Sequence, residues 1–598
     1  MDTHNSGTKL INKSDIRKAL NLKGPLGSLA ASCVMSLLGL NCINRLYPQF
    51  CAWRGREFTK EAMKTFRIST DILPEELGYI PRKGPFIVVS NHPFGGWDGI
   101  VLYNTVAAVR PEFKILTNFI LSHIPNLRDS FLAVNPFSDH KQFRSSLPGL
   151  KAAMEAIEKG GCVGIFPAGE VSTYYKGHRY PADKDWTHTV MKLVSTCSVP
   201  VLPVYFDGSN SRMFHLLGRI HPMLRTASLP RELIRRSGST VTMRIGRPVP
   251  AGEIARCSGP RELGQMLRNR VYAMEANISR NLPRNQTADG QAPLMPPVPS
   301  DVLRKEMEAL TPLFEASKYQ CFLADTGQIP AMMQEIGRRR EESFRQVGEG
   351  TGAPIDTDSF DVYYKHLILW DKEASQLAGA YRLGMGRGIY EKYGVKGFYT
   401  HTLFRYSDEF KALLPECIEL GRSFLSVEYK KEALPLMLLI KGLFYTVLRH
   451  KDCKYLFGPA SITSWMPPFY RSLLIYGLQK FTDGPHKDMV TPRTPFRYDF
   501  LRVDPDLLLE GRTASPDAFD KFIQRLSDGC YRIPTLIKKY VRLKAEILAF
   551  NVDRAFNYCV DGMIFLDMAG VPRSEIEMLT KGSDDPEGLI EKFYGTGS

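Results

Sequence analysis

The chain has 598 residues, too many for one ordinary hydrophobic core, so at least two domains are expected. Hydrophobic residues are 43% and charged residues 24%, which excludes a chain that is disordered throughout. The formal charge of +15 suits an anionic partner, such as a membrane lipid surface or an acidic carrier protein. It is not read as nucleic-acid binding, because no recognition module accompanies it.

Residues 1–50 form a basic and apolar leading segment, with Lys13, Arg17, Lys18 and Lys23 ahead of the uncharged stretch "GPLGSLAASCVMSLLGLNCIN". That stretch reads either as a helix lying on or dipping into a bilayer face, or as a buried helix of the first domain. Residues 51–280 alternate strand-like and helix-like runs. "PFIVVS", "FKILTN", "FLAVNPF", "CVGIFPAG" and "VPVLPVYFDG" read as strands, and "SSLPGLKAAMEAIEKGG" reads as a helix. This predicts an α/β layer with loops at the strand ends. "VPVLPVYF" carries two prolines and is expected at a sheet edge. The Pro-rich, polar stretch 281–300 reads as a linker. Residues 301–598 contain the strand-like "YKHLILWD", "AGAYRLG", "GFYTHTLF" and "ECIELGRSFLSV". The apolar helix "ALPLMLLIKGLFYTVLRH" follows, which predicts a second, α+β domain. The tail from Arg532 is amphipathic and basic.

The eleven cysteines contain no C-x-x-C pair, which speaks against zinc and for a reducing compartment. Cys33, Cys42, Cys162 and Cys197 are expected to be small core residues. No metal site is predicted.

Two constellations carry chemistry. In "VVSNHPFGGWDGI", Asn91 and His92 follow an apolar run, and Asp98 lies beyond a glycine turn. A carboxylate that fixes the tautomer of an imidazole makes it a general base. Gly95 and Gly96 would let the backbone turn and a substrate come close. "GIFPAGEVS" adds Phe166, Pro167, Gly169, Glu170 and Ser172 on a second loop. In this order the elements resemble the phospholipid/glycerol acyltransferase superfamily, in its hemolysin-like branch. That resemblance implies His92 as base, Asp98 as its partner and an acyl thioester as donor. There are two departures from the family pattern. His92 and Asp98 are separated by five residues rather than four, and the acid of the second block stands at Glu170 rather than at Ala168. The second departure points away from a phosphate-bearing acceptor.

The second constellation is Arg345, then Asp356, Asp358 and Asp361, then Arg382, then Glu419 and Arg422. Acids and arginines on separate segments can pair across a fold or frame a pocket for an amine. The set resembles the acyl-homoserine-lactone synthase type of N-acyltransferase, which has the GNAT fold. The resemblance implies Glu419 as the base near the amine and the rest as a polar network. "VEYKKEALPLMLLIKG" lacks the Gly-rich loop that cradles a coenzyme A pyrophosphate, so acyl carrier protein is the expected donor, with coenzyme A as the alternative. Lys430 and Lys431 either meet that acidic carrier or are solvated charges.

Together the halves resemble the two-domain ornithine lipid synthases. The implied chemistry is N-acylation of an amino acid by a 3-hydroxyacyl group, then O-acylation of the 3-hydroxyl of the lyso-lipid. No bound cofactor is needed. The implied location is the cytoplasmic face of the inner membrane. A lysophospholipid acyltransferase with a non-catalytic second domain, or a non-enzymatic membrane binder, are the alternatives.

Overall fold

A computed structural model describes the chain except for residues 1–8, 20–22, 119–123, 135–146, 176–179, 282–290, 451, 501, 581–590 and 592–598. Parts of four predicted segments lie outside the described residues: 1–8 and 20–22 of the leading segment, 135–137 of "FLAVNPF", 145–146 of the following helix and 282–290 of the linker. The chain forms two units, Met1–Ile278 with Leu501–Leu508, and Ser279–Phe500 with Leu509–Ser598. Both units are therefore discontinuous. Arg502 belongs to the first, where it pairs with Glu275.

The first unit is built on seven strands: β1 (Ser69–Asp71), β2 (Phe86–Ser90), β3 (Lys114–Asn118), β4 (Phe131–Val134), β5 (Cys162–Ile165), β6 (Val201–Phe206) and β7 (Thr240–Ile245). Their order is β1-β7-β6-β2-β5-β3-β4, with every pair parallel except β6 and β7. β2, β5 and β6 are buried at every residue. This is why they read as unbroken apolar runs, since a parallel sheet is covered on both faces. β6 is an interior strand, not the expected edge. Its ladder with β7 begins only at Val204, so the missing N–H of Pro203 falls outside that ladder.

The leading stretch is two helices, Gly24–Leu37 and Leu40–Leu46, rather than one. Gly39 turns the chain between them at φ +73°, and the pair from Gly24 to Gln49 bends by 71°. Among the described residues no single helix is long and apolar enough to cross a membrane. Ala31 and Met35 face inward, while Leu26, Leu29 and Leu37 are exposed. Of the four cysteines expected in the core only Cys162 is buried, and Cys33 is exposed. Its helix turns that side outward.

The second unit has eight strands in one sheet: β8 (Phe314–Ala316), β9 (Tyr319–Asp325), β10 (Lys365–Asp371), β11 (Gln376–Met385), β13 (Cys417–Leu425), β14 (Tyr455–Ile462), β16 (Glu546–Asp553) and β17 (Cys559–Asp567). The order is β16-β17-β14-β13-β11-β10-β9-β8. A small pair, β12 (Phe404–Tyr406) and β15 (Val490–Pro492), lies apart from it. β13 and β14 are the parallel neighbours of this sheet. They pair only where Cys417 meets Tyr455, Ile418 meets Leu456 and Glu419 meets Phe457. Gly458 follows at once. A Cβ there would stand 2.1 Å from the Leu420 carbonyl oxygen. The apolar run after β13 is the helix Ala433–Arg449.

"GFYTHTLF" is not a strand. It makes two 3-10 turns, Gly394–Gly397 and Tyr399–Thr402, and only Phe404 enters β12. The tail from Arg532 is half helix, Thr535–Arg542, and half β16.

Candidate functional site

In the first unit, His92 and Asp98 meet where β2 gives way to the helix Gly96–Val106. Gly95, at φ +88°, makes the turn into that helix. Asp98 is fully buried in its first turn, with its Oδ2 3.1 Å from His92 Nδ1 and accepting the Phe94 N–H at 2.9 Å. This contact becomes an ion pair once the imidazole is protonated. Burial works to lower the His92 pKa, but the Asp98 carboxylate and then Asp183 outweigh it and raise it above the ordinary value. With Asp98 at Nδ1, the proton of neutral His92 is assigned there, and Nε2 keeps a lone pair. The Phe166 ring lies 4.1 Å from the imidazole, centroid to centroid.

Asn91 is engaged within the sheet. Its amide donates to the Phe206 carbonyl at 2.8 Å and accepts the Phe206 N–H at 2.7 Å, which fastens β2 to β6. Gly95 makes the expected turn, and both glycines also allow close packing. Leu229 and Leu233 occupy the space where their Cβ atoms would stand, 2.8 and 2.7 Å away. Pro167 accepts the Thr187 N–H, and Gly169 closes the loop onto Phe166 at φ +70°. Glu170 pairs with Arg225, accepts from Tyr175 at 3.3 Å and lies 3.9 Å from Lys184. Ser172 donates its N–H to the His92 carbonyl at 2.8 Å, so the two loops are tied at the imidazole.

Asp183 carried no signal in the sequence. It accepts the His92 N–H at 3.2 Å, the Ser172 hydroxyl at 2.5 Å and the Trp186 indole N–H at 3.1 Å. Burial holds its carboxyl above the ordinary aspartate range despite these donors. It is a positioning residue for the imidazole.

In the second unit the acids and arginines form one buried network. Arg340 approaches Asp356 and Asp361 at 2.9 Å each. Arg382 pairs with Asp358 at 2.6 Å and Asp361 at 3.3 Å. Arg422 reaches Asp358 at 3.3 Å and Asp356 at 3.6 Å. Three cations thus face three anions. Burial works to raise Asp361, but Arg340 and Arg382 hold it well below the usual carboxylate range. Arg345, which the sequence reading placed in this set, is elsewhere. It pairs with Glu341 at 2.7 Å and donates to the Ala353 carbonyl. Arg340 takes the place expected of it. Arg382 lies over the Phe360, Tyr364 and Tyr399 rings, and Arg422 over Tyr399 and Phe556. Arg422 has φ +50° beside the irregularity where β11 and β13 change register. That bulge aims its side chain at the network.

Glu419 sits where β13 and β14 part, and it is fully engaged. Oε1 accepts the Thr400 N–H at 2.6 Å and hydroxyl at 2.5 Å. Oε2 accepts the Tyr399 N–H at 3.0 Å and the Tyr364 hydroxyl. Burial holds its carboxyl above the ordinary range despite four donors. The Tyr364 and Thr400 hydroxyls are its two side-chain donors, and the sequence reading named neither. Lys430 donates to the Ser343 carbonyl at 2.9 Å and Gln346 at 3.0 Å, whereas Lys431 is exposed. Lys430 is therefore a structural tie and not a free docking charge.

Known proteins fit this division. A family model described as an acyltransferase matches residues 16–280, and one described as an acetyltransferase (GNAT) domain matches residues 339–440. The chain is 31% identical over 285 residues to a glycine N(alpha)-acyltransferase of Bacteroides thetaiotaomicron, covering 44% of this chain and 81% of that protein. It is 25% identical over 227 residues to a lyso-glycine lipid O-acyltransferase of Phocaeicola vulgatus, covering 37% and 78%. A 1-acyl-sn-glycerophosphate acyltransferase crystal structure from Thermotoga maritima aligns with a TM-score of 0.24 and 18% identity, over 36% of this chain and 75% of that one.

Proposed function

From the premise that this chain belongs to the aminolipid-synthase-like acyltransferases, which join an N-terminal acyltransferase domain to a C-terminal GNAT domain, we propose that it performs both acylations of an amino-acid lipid. The observation that carries this is the presence of two separate proton-accepting centres in one chain, His92 with Asp98 and Glu419 with Tyr364.

In the first step the amino acid's α-nitrogen attacks the thioester carbonyl of a 3-hydroxyacyl donor. The N–C bond forms and the C–S bond breaks. The amine proton passes to the Tyr364 oxygen as Tyr364 gives its own to Glu419, and that proton returns through Tyr364 to the leaving thiolate. The Arg340, Arg382 and Arg422 network holds β11, β13 and the 356–361 loop around this centre. In the second step His92 Nε2 takes the proton of the 3-hydroxyl as that oxygen attacks a second thioester. Asp98 stabilises the imidazolium that forms. The imidazolium then protonates the leaving thiolate.

The acyl donor is read as acyl carrier protein. The support is that the chain after β13 makes a 3-10 turn, Val427–Tyr429, with no glycine cradle for a nucleotide pyrophosphate. The work site is read as the cytoplasmic membrane face, where thioester donors are made. For the head group, ornithine is supported by the buried carboxyls of Glu349, Asp553 and Asp561, which lie near one another and would suit a second cation. The names of the relatives favour glycine, which needs none.

Expression in a bacterium without aminolipids, followed by lipid mass spectrometry, tests this. Wild type is expected to yield a diacylated, phosphate-free aminolipid whose mass gives the head group. His92→Ala is expected to accumulate the mono-acyl form, and Tyr364→Phe to make little of either. With amino acid and donors shown to be present, no new phosphate-free lipid from wild type would overturn the reading.

A further inference from the structure

The face formed by residues 211–235 is unlike the rest of the first unit. It consists of three short helices, Arg212–Ile220, Pro222–Ala227 and Leu229–Arg235. Met213, Leu216 and Ile220 repeat at helical spacing and are all exposed, and Met223 and Leu224 continue the apolar surface. Ile220 is 69% exposed and Met223 70%. The opposite side is buried and holds Phe214, His215, Arg225 and Glu232. An apolar surface of this kind, left open on a folded protein, marks a contact site.

Its charge is one-sided. Arg212, Arg219, Arg231 and Arg235 are exposed on the first and third of these helices. The only acid between residues 209 and 239 is Glu232, which is buried and bound to Ser211 and Arg235. Flexible apolar side chains on helices that also expose arginines match an anionic bilayer, with the cations at the phosphates and Leu, Ile and Met in the acyl region.

The same helices wall the His92 site. Arg225 pairs with Glu170, and His215 approaches the Thr173 hydroxyl at 3.4 Å. Leu229 packs on Gly95 and Leu233 on Gly96, and the Trp97 indole donates to the Leu233 carbonyl at 2.8 Å. The bent helical pair 24–49 adjoins them, because Gly39 abuts Ile234.

We propose that residues 211–235 are a membrane-docking element, which seats the first unit on an anionic phospholipid surface beside His92. An amphiphilic acceptor then reaches the imidazole from the bilayer without crossing water. The identity of that acceptor rests on the reading above, but the docking itself does not.

The test is sedimentation of the full chain with vesicles, without substrates. One set is phosphatidylcholine containing phosphatidylglycerol, the other is phosphatidylcholine alone. The variants are Ile220→Glu/Met223→Glu, Arg212→Gln/Arg219→Gln/Arg231→Gln, and Leu26→Glu/Leu29→Glu for the other apolar pair. These positions are exposed, and circular dichroism with a urea transition verifies folding. The Ile220/Met223 variant is expected to lose at least about tenfold in binding to the anionic vesicles, and the arginine variant about fivefold per cation and most of its salt sensitivity. Wild-type binding by the Ile220/Met223 variant would overturn the proposal. So would loss confined to the Leu26/Leu29 variant, or an arginine variant that keeps its preference for phosphatidylglycerol. Because no substrate is present, a failure here leaves the two-step acylation untouched, and the lipid profile can fail without affecting this result.

Discussion

Replacing Arg340 with Met is the most informative single change. The guanidinium lies 2.9 Å from a carboxylate oxygen on each of Asp356 and Asp361 and also donates to the Asp356 carbonyl. The Nε approach to Asp356 is too bent for a hydrogen bond, so charge carries that contact. Three arginines balance three aspartates, and Met leaves one negative charge unpaired in the interior. Breaking a buried pair from one side costs about 3–5 kcal/mol. Against a domain stability of about 5–15 kcal/mol, that is a third or more in most cases. Taking an m-value of about 3 kcal/mol/M for a large domain, the urea midpoint should fall by about 1 M or more. The assay is urea unfolding of the full chain, following the transition in which N-acyl transfer is lost. Arg340→Met/Asp361→Asn removes the excess charge and should recover part of the loss. Arg345→Met, which breaks only the tie to Glu341 and Ala353, should cost clearly less. A cost below about 1 kcal/mol for Arg340→Met, the level of an exposed pair, would refute the closed network.

Three further outcomes are expected. Asp98→Asn removes the charge that raises His92, so the acid limb of the O-acyl pH–rate profile should move to lower pH while the plateau falls about 10²–10⁴-fold; an unmoved limb would count against the pairing. Burial raises Glu349 from 4.5 to about 7, against a smaller pull from Ser461 and Lys430, so stability is full below about 4.5 and is lost as pH rises through about 7. Glu349→Gln keeps an acceptor for Ser461 and should be more stable than wild type at pH 8, by up to about 3 kcal/mol, with the gap closing at pH 5 in paired urea titrations. Gly458→Ala puts a methyl 2.1 Å from the Leu420 carbonyl oxygen and should cost about 1–3 kcal/mol or more by thermal unfolding, with N-acyl transfer lost before O-acyl transfer.

Much of the architecture was legible because strand burial leaves an unambiguous trace. β2, β5, β6 and β10 are buried along nearly their whole length and read as apolar runs, and the pairing of His92 with Asp98 follows from one loop. What stayed hidden depends on partners distant in sequence. Arg340 and Arg345 share one helix and lie five positions apart, on different sides of it, and only the packed fold shows which side meets Asp361. Gly95 and Gly96 signal close approach, but the approaching groups, Leu229 and Leu233, come from over a hundred residues away. "GFYTHTLF" has strand composition, yet its Tyr399 and Thr400 amides are claimed by Glu419, and that side-chain acceptor bends the segment into turns. Asp183 was silent because a buried positioning carboxylate leaves no spacing rule.

Past Glu419 and Phe457, two strands of one sheet diverge, and no backbone ladder joins them beyond that point. Main-chain groups that lack a strand neighbour at such a fork would offer a template to an extended chain that carries amides of its own. The pantetheine arm is such a chain, and it is identical whether a protein or a nucleotide carries it. A fork that reads only this tether is indifferent to the cargo vehicle behind it. If the fork receives that tether, donor choice falls to the protein's exterior, and a mutation at the fork should slow transfer from both vehicles in equal proportion.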